Sequence, residues 1–157
     1  MDSWRYRTKG PRSLCEHVGR HGKAHSDRVE SLQATGVKVA VHDLVQVDLG
    51  ALCADLVDSR ALVFGAPTVL GGLHPLSAFI LGLVRALKPP VRFALFLSSH
   101  GWAGGAARQA QEVLASLGVD LLGLVDVPGH PGPEELRKVR ELAQELAQKI
   151  SALKTGL

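Results

Sequence analysis

The 157-residue sequence predicts an α/β fold in which a parallel sheet is covered by helices on both faces. Three observations predict it. From about residue 26 onward, short Val- and Leu-rich runs alternate with stretches of helical periodicity. Two of those runs, "RALVFG" and "VRFALFL", are continuously apolar, as strands buried on both faces are. Gly and Pro mostly fall where one element should give way to the next. Strict alternation calls for helical crossovers, which leave the strands parallel and build a three-layer sandwich.

The elements follow in order. "SDRVESLQAT", residues 26–35, carries Val29 and Leu32 at helical spacing and stops before Gly36. "GVKVAVHDL" alternates Val37, Val39 and Val41 as a strand does. "DLGALCADLVDS" sets Leu49, Leu52 and Leu56 on one helical face. "RALVFG" is a buried strand. "HPLSAFILGLVRALKPP" is a helix, with Pro75 suited to its first turn and Pro89 and Pro90 ending it. "VRFALFLSS" is the next strand, "GGAARQAQEVLASLG" a helix closed by Gly118, and "VDLLGLVDV" the last strand. "GPEELRKVRELAQELAQKISALK" is a long amphipathic helix with Leu136, Val139, Leu142, Leu146 and Ile150 on its apolar side. Its charged residues form a solvated face with i,i+4 pairs.

Such a sheet should begin with a strand, and residues 1–23 encode one poorly. Trp4 and Tyr6 alternate with Arg5 and Arg7, and "SLCEHV" alternates faintly. The expected organisation is therefore an irregular basic segment over 1–25 and a single domain over 26–157. Residues 1–28 hold seven basic and three acidic side chains, while the rest is close to neutral. No aromatic platform or recognition helix accompanies the basic arm, so nucleic acid is not an expected partner.

Other classes are set aside on similar grounds. No apolar run reaches the roughly 18 residues of a membrane span, and the N-terminus has no apolar signal-peptide core. Cys15 and Cys53 stand alone without a CxxC pair, which points to a reduced, cytoplasmic setting. His17, His21 and His25 would share one face of a helix near Cys15, as Zn or Ni ligands can, but Gly19 and Gly22 argue against that helix. No G-x-G-x-x-G supports a dinucleotide site.

Chemistry in an open α/β sheet belongs to the loops beyond the strand C-termini. Two of these are unusual: "APTVLGGLHP", residues 66–75, and "SSHGWAGG", residues 98–105. Glycines let backbone groups approach a flat ligand, and Trp102 offers a ring to stack on it. The stretch "VFGAPTVLGGLHPLSAFILGLVRALKPP" followed by "SSHGWAGGA" resembles the flavodoxin-like domain of the flavodiiron proteins (A-type flavoproteins), over roughly residues 26–152.

That resemblance implies a flavodoxin-like sheet of order 2-1-3-4-5 with FMN at the strand ends. It implies electron transfer at the isoalloxazine. It implies flavin contacts at Pro67, Thr68, Val69, Leu70, Gly71 and Gly72 on the first loop. On the second it implies contacts at Ser99, His100, Gly101, Trp102, Ala103, Gly104 and Gly105. Thr68 is expected to meet the ribityl chain, the backbone around Gly71 and Gly72 the flavin N5 and pyrimidine edge, and Trp102 the ring. Implied partners are a rubredoxin-like electron donor or a diiron-domain acceptor. Two other functions fit the same fold: a flavin-dependent NAD(P)H:quinone reductase completed by a homodimer, and a flavodoxin-like remnant that no longer binds flavin.

The sequence departs from the family at Leu70, where Asn is frequent, at His100, where Tyr or Phe is frequent, and at Ala103, where Ser is frequent. The diiron pattern His-x-Glu-x-Asp-His is missing, so oxygen or nitric-oxide reduction is not assigned to this chain. His74 reads as a surface or capping residue at a helix start. The family's phosphate loop after the first strand should fall near residues 15–21, which read "CEHVGRH" and lack its Ser and Thr. A back-translation of Cys15–Gly22 shifted by one nucleotide reads Ala-Ser-Thr-Trp-Gly-Gly-Thr. A frameshift or mis-called start over residues 1 to about 25 is therefore one explanation, and it would leave the sheet without its central strand.

Overall fold

The computed structural model describes residues 13–17, 36–102 and 104–155. They form strands β1 (Ser13–His17), β2 (Lys38–His42), β3 (Ser59–Val69), β4 (Gly72–Leu73), β5 (Phe93–His100) and β6 (Asp120–Pro128). The helices are α1 (Leu49–Asp58), α2 (Pro75–Leu87), α3 (Ala106–Ser116) and α4 (Pro133–Thr155), with a 3-10 turn at Leu44–Gln46. The helix expected over 26–35 lies outside the described residues, as do His21 and His25.

The main path of the sheet runs β2-β1-β3-β5-β6, every pairing on it parallel. Without the short β4, this is the expected 2-1-3-4-5 order. The fold is flavodoxin-like. The chain moves from β1 outward to β2, then returns past β1 to β3 and continues the other way. That reversal puts a topological switch point at the carboxyl ends of β1 and β3, where an open α/β sheet has room for a ligand.

Side chains on β3 and β5 alternate between two separate cores, as the two-residue period of a strand requires. Leu62, Phe64 and Ala66 of β3 and Ala94 and Phe96 of β5 face α1, α2 and α3. Ala61 and Val63, with Leu95 and Leu97, face α4 through Val139, Ala143, Leu146 and Ile150. Phe64 and Phe96 sit opposite each other in the β3–β5 register and stack at 5.9 Å between centroids. The continuous apolar runs are thus explained by burial on both sides.

Two readings of the N-terminal segment meet the structure within Ser13–His17. The central strand is present: Ser13–His17 pairs with β2 from Ser13↔Lys38 to His17↔His42, and with β3 up to His17↔Phe64. The sheet therefore reaches back into the segment set apart as irregular. A helical face through His17, His21 and His25 is also ruled out at its first member, because His17 ends a strand. The remaining boundaries sit within a few residues of their sequence signals. The one large extension is β3, which runs past Gly65 to Val69.

Pro75 occupies the first turn of α2, and the Nδ1 of His74 accepts a hydrogen bond from the Leu76 N–H at 3.2 Å. The capping role read for His74 is borne out. At the other end Lys88 closes α2 in the left-handed region at φ 46°, just before Pro89 and Pro90.

Candidate functional site

The extra length of β3 shapes the first loop. Thr68 and Val69 pair antiparallel with Leu73 and Gly72, so residues 68–73 form a tight hairpin folded over the sheet's end. Its two tip residues, Leu70 and Gly71, both have positive φ, 50° and 77°. Such a turn matches the twist of a two-residue hairpin and favours Asn-Gly. Leucine in this region carries a steric penalty that Gly or Asn mostly escapes. Leu70 is also fully exposed at 102%. An apolar side chain is therefore held out in solvent at the tip, in an unfavourable backbone state. The hairpin is pinned from α3: the Leu73 N–H donates to Oε1 of Gln109 at 2.8 Å.

The second loop leaves β5 beside it. The Gly129 N–H donates to the His100 carbonyl at 2.8 Å, tying the end of β5 to the turn after β6. A Cβ on Gly105 would overlap the carbonyl oxygen of Gly71, so the two loops meet backbone against backbone. A Cβ on Gly104 would lie 2.5 Å from Oδ2 of Asp126. Trp102 projects from this loop with 96% of its surface exposed. Two large apolar groups, Leu70 and Trp102, thus stand on adjoining loops at the carboxyl ends of β3 and β5.

Beneath them lies a polar cluster. Asp126 Oδ1 accepts from the Ser98 hydroxyl at 2.5 Å and lies 3.1 Å from Nδ1 of His100. The sequence reading had singled out His100 but neither Ser98 nor Asp126. Their one signal was a carboxylate inside the otherwise apolar run "LLGLVDV". Gln109, one turn into α3, was missed as well. Nothing in a sequence marks a helix residue whose partner lies 36 positions away on a hairpin.

The hairpin and the second loop bring together Pro67 to Gly72 with Ser99 to Trp102, Gly104 and Gly105. Ala103 lies outside the described residues. Thr68 carries the clearest sign of a missing partner. Its Oγ1 is buried and makes no hydrogen bond among the described residues, a state that costs about 1–3 kcal/mol unless a partner, ligand or water relieves it. An unpartnered hydroxyl, close-approach glycines and exposed apolar side chains fit the ring and ribityl part of the expected flavin. The segment that would meet its phosphate follows His17 and lies outside the described residues. Among the described residues there is no His, Cys, Asp and Glu cluster able to hold a metal ion. No described helix is long and apolar enough to cross a membrane.

Comparison with known proteins agrees with this fold. No protein-family profile matches the chain. A coenzyme F420H2 oxidase of Methanothermobacter marburgensis is 32% identical over 124 residues, covering 77% of this chain and 31% of that protein. Among solved structures, the rubredoxin oxygen:oxidoreductase of Desulfovibrio gigas superposes with a TM-score of 0.80 at 20% identity, over 91% of this chain and 37% of that one. The flavodiiron protein of Giardia intestinalis gives 0.78 at 18% identity, over 91% and 37%. A flavodoxin from the Archaea gives 0.71 at 18% identity, over 89% of this chain and 99% of its own. The chain thus spans about a third of its longer relatives and nearly all of a single-domain flavodoxin.

Proposed function

We propose, from the premise that this chain is a flavodoxin-like domain of the kind flavodiiron proteins carry, that it binds FMN between its two strand-end loops and works as an electron-transfer module. The observation that carries the reading is the buried, unpartnered Oγ1 of Thr68 beside two loops in backbone contact. FMN, when bound, supplies a carrier that accepts and releases one or two electrons. Thr68 would hold its ribityl chain, and backbone groups at Gly71, Gly72 and Ser99 to Gly101 would meet its polar edge. Leu70 and Trp102 would close over the ring and keep water from it. Of these groups, Leu70, Gly71, Gly101 and Trp102 are exposed, and the Thr68 hydroxyl has no partner among the described residues.

An electron carrier needs partners. A rubredoxin-like donor and a diiron-domain acceptor suit a module of this descent, in the reduced cytoplasmic setting read from the two cysteines. Oxygen and nitric-oxide reduction are not proposed for this chain, since it lacks the residues of a diiron centre.

The test is titration of FMN into the purified chain. Flavin fluorescence should be quenched to a one-to-one end point at micromolar protein, and equilibrium dialysis should retain the flavin. Free-flavin fluorescence at that concentration would overturn the reading. Riboflavin run in parallel measures what the phosphate contributes.

A further inference from the structure

The Ser98–His100–Asp126 cluster is more elaborate than a tie between two strands requires. Asp126 reaches from β6 to two side chains of β5 through one oxygen. Its other oxygen lies where only glycine, Gly104, leaves room. A carboxylate only accepts hydrogen bonds, so Nδ1 of His100 is the protonated nitrogen of the neutral ring. Nε2 then carries the free lone pair, and it has no partner among the described residues. The Nδ1 and Cε1 atoms lie closest to Gly104, at 3.3 and 3.6 Å from its Cβ position. Nε2 is not among the buried atoms that lack a partner, so solvent reaches it, and the side chain as a whole is 23% exposed.

We infer that His100, oriented by Asp126, is a proton-holding group coupled to electron transfer at this site. The inference rests on the flavin reading above. Reduction by a one-electron donor protein, in two successive deliveries, adds negative charge to the ligand beside the loop. A base near new negative charge binds protons more tightly. The imidazole takes one proton from solvent at Nε2 as the second electron arrives, and returns it when the two electrons leave. Nδ1 keeps its proton throughout, donated to Asp126. Asp126 is the positioning residue, and the Ser98 hydroxyl holds that carboxylate in turn.

The other charged and titratable groups nearby are few. The loop over the ring, residues 101–105, carries none. On the β3 side, Pro67 and Thr68 carry none, and His74 is engaged at Nδ1 by the Leu76 N–H. On the β6 side, His130 follows Gly129 and has a partner of its own.

The experiment follows the His100 ring by NMR in the full chain loaded with FMN, oxidised and then reduced with dithionite. The signal is assigned by its loss in His100→Gln. The expected result is that His100 binds its proton about tenfold or more tightly in the reduced form. For a two-electron couple that is about 30 mV of pH-dependent potential, and it should vanish in His100→Gln. Asp126→Asn, which removes the carboxylate that orients the ring, should diminish the difference in His100 protonation between the oxidised and reduced forms, which loss of a mere tie between β5 and β6 would not do. A loaded chain whose His100 titrates identically in both states overturns the inference and leaves the flavin reading standing. A chain that retains no FMN on dialysis overturns both.

Discussion

Leu70 is the residue at which the chain departs most sharply from what its backbone prefers. A left-handed conformation costs an ordinary residue about 1–2 kcal/mol, and Asn tolerates it through its short polar side chain. Full exposure returns no burial energy to the isolated chain. The side chain therefore stabilises nothing in the protein alone, and any return must come from what it touches when a ligand is present. Leu70→Asn is expected to raise the stability of the ligand-free chain by about 1 kcal/mol, read as a higher midpoint in urea unfolding at unchanged slope. A midpoint at or below that of the parent would mean that the turn is not strained as described. Thr68 poses the complementary case, a side chain whose polar atom is buried without a partner. Both residues sit in the motif that the sequence singled out, yet neither strain nor an orphaned hydroxyl is visible in a string of letters. The motif was legible, and its energetics needed the backbone.

At the scale of elements, the site is a contact between a hairpin and a helix start. The β3–β4 hairpin would be free to swing if its only support were its own two pairings. Gln109 holds it from α3, and Gly105 lets the residues just before α3 lie against the Gly71 carbonyl. The φ of Gly105 is −156°, an extended value open to any residue, so space and not conformation is what demands glycine here. Gly105→Ala should force the loops apart. Overpacking of this kind costs about 1–3 kcal/mol. Because the displaced groups line the proposed flavin site, FMN affinity should fall by roughly tenfold or more, while far-UV circular dichroism stays native. Unchanged affinity would separate the loop contact from the binding site. The strands and helices behind this contact were readable because burial on two faces leaves a Val- and Leu-rich signature. The hairpin was not, because β3 continues past Gly65 through Ala66, Pro67, Thr68 and Val69, and Pro and Thr next to the following glycines read as loop.

For the molecule as a whole, the two cores of the described residues lie on opposite faces of the sheet, which contributes side chains to both. Its integrity depends on β1, which occupies the position between β2 and β3. "SLCEH" lacks the apolar run that marks the other inner strands, so the sequence undervalued it. What holds it is pairing on both edges, a tertiary property that local composition does not record. Cys15 is the middle residue of the strand, opposite Ala40 on one side and Leu62 on the other. Proline removes a backbone donor and is essentially excluded from the interior of a sheet. Cys15→Pro should therefore abolish cooperative unfolding of the entire domain, whereas Cys15→Val, a strand former of similar size, should keep it. Thermal unfolding followed by circular dichroism distinguishes the two. A proline variant that melts like the parent would place Ser13–His17 outside the sheet and return the chain to a domain that begins near residue 26.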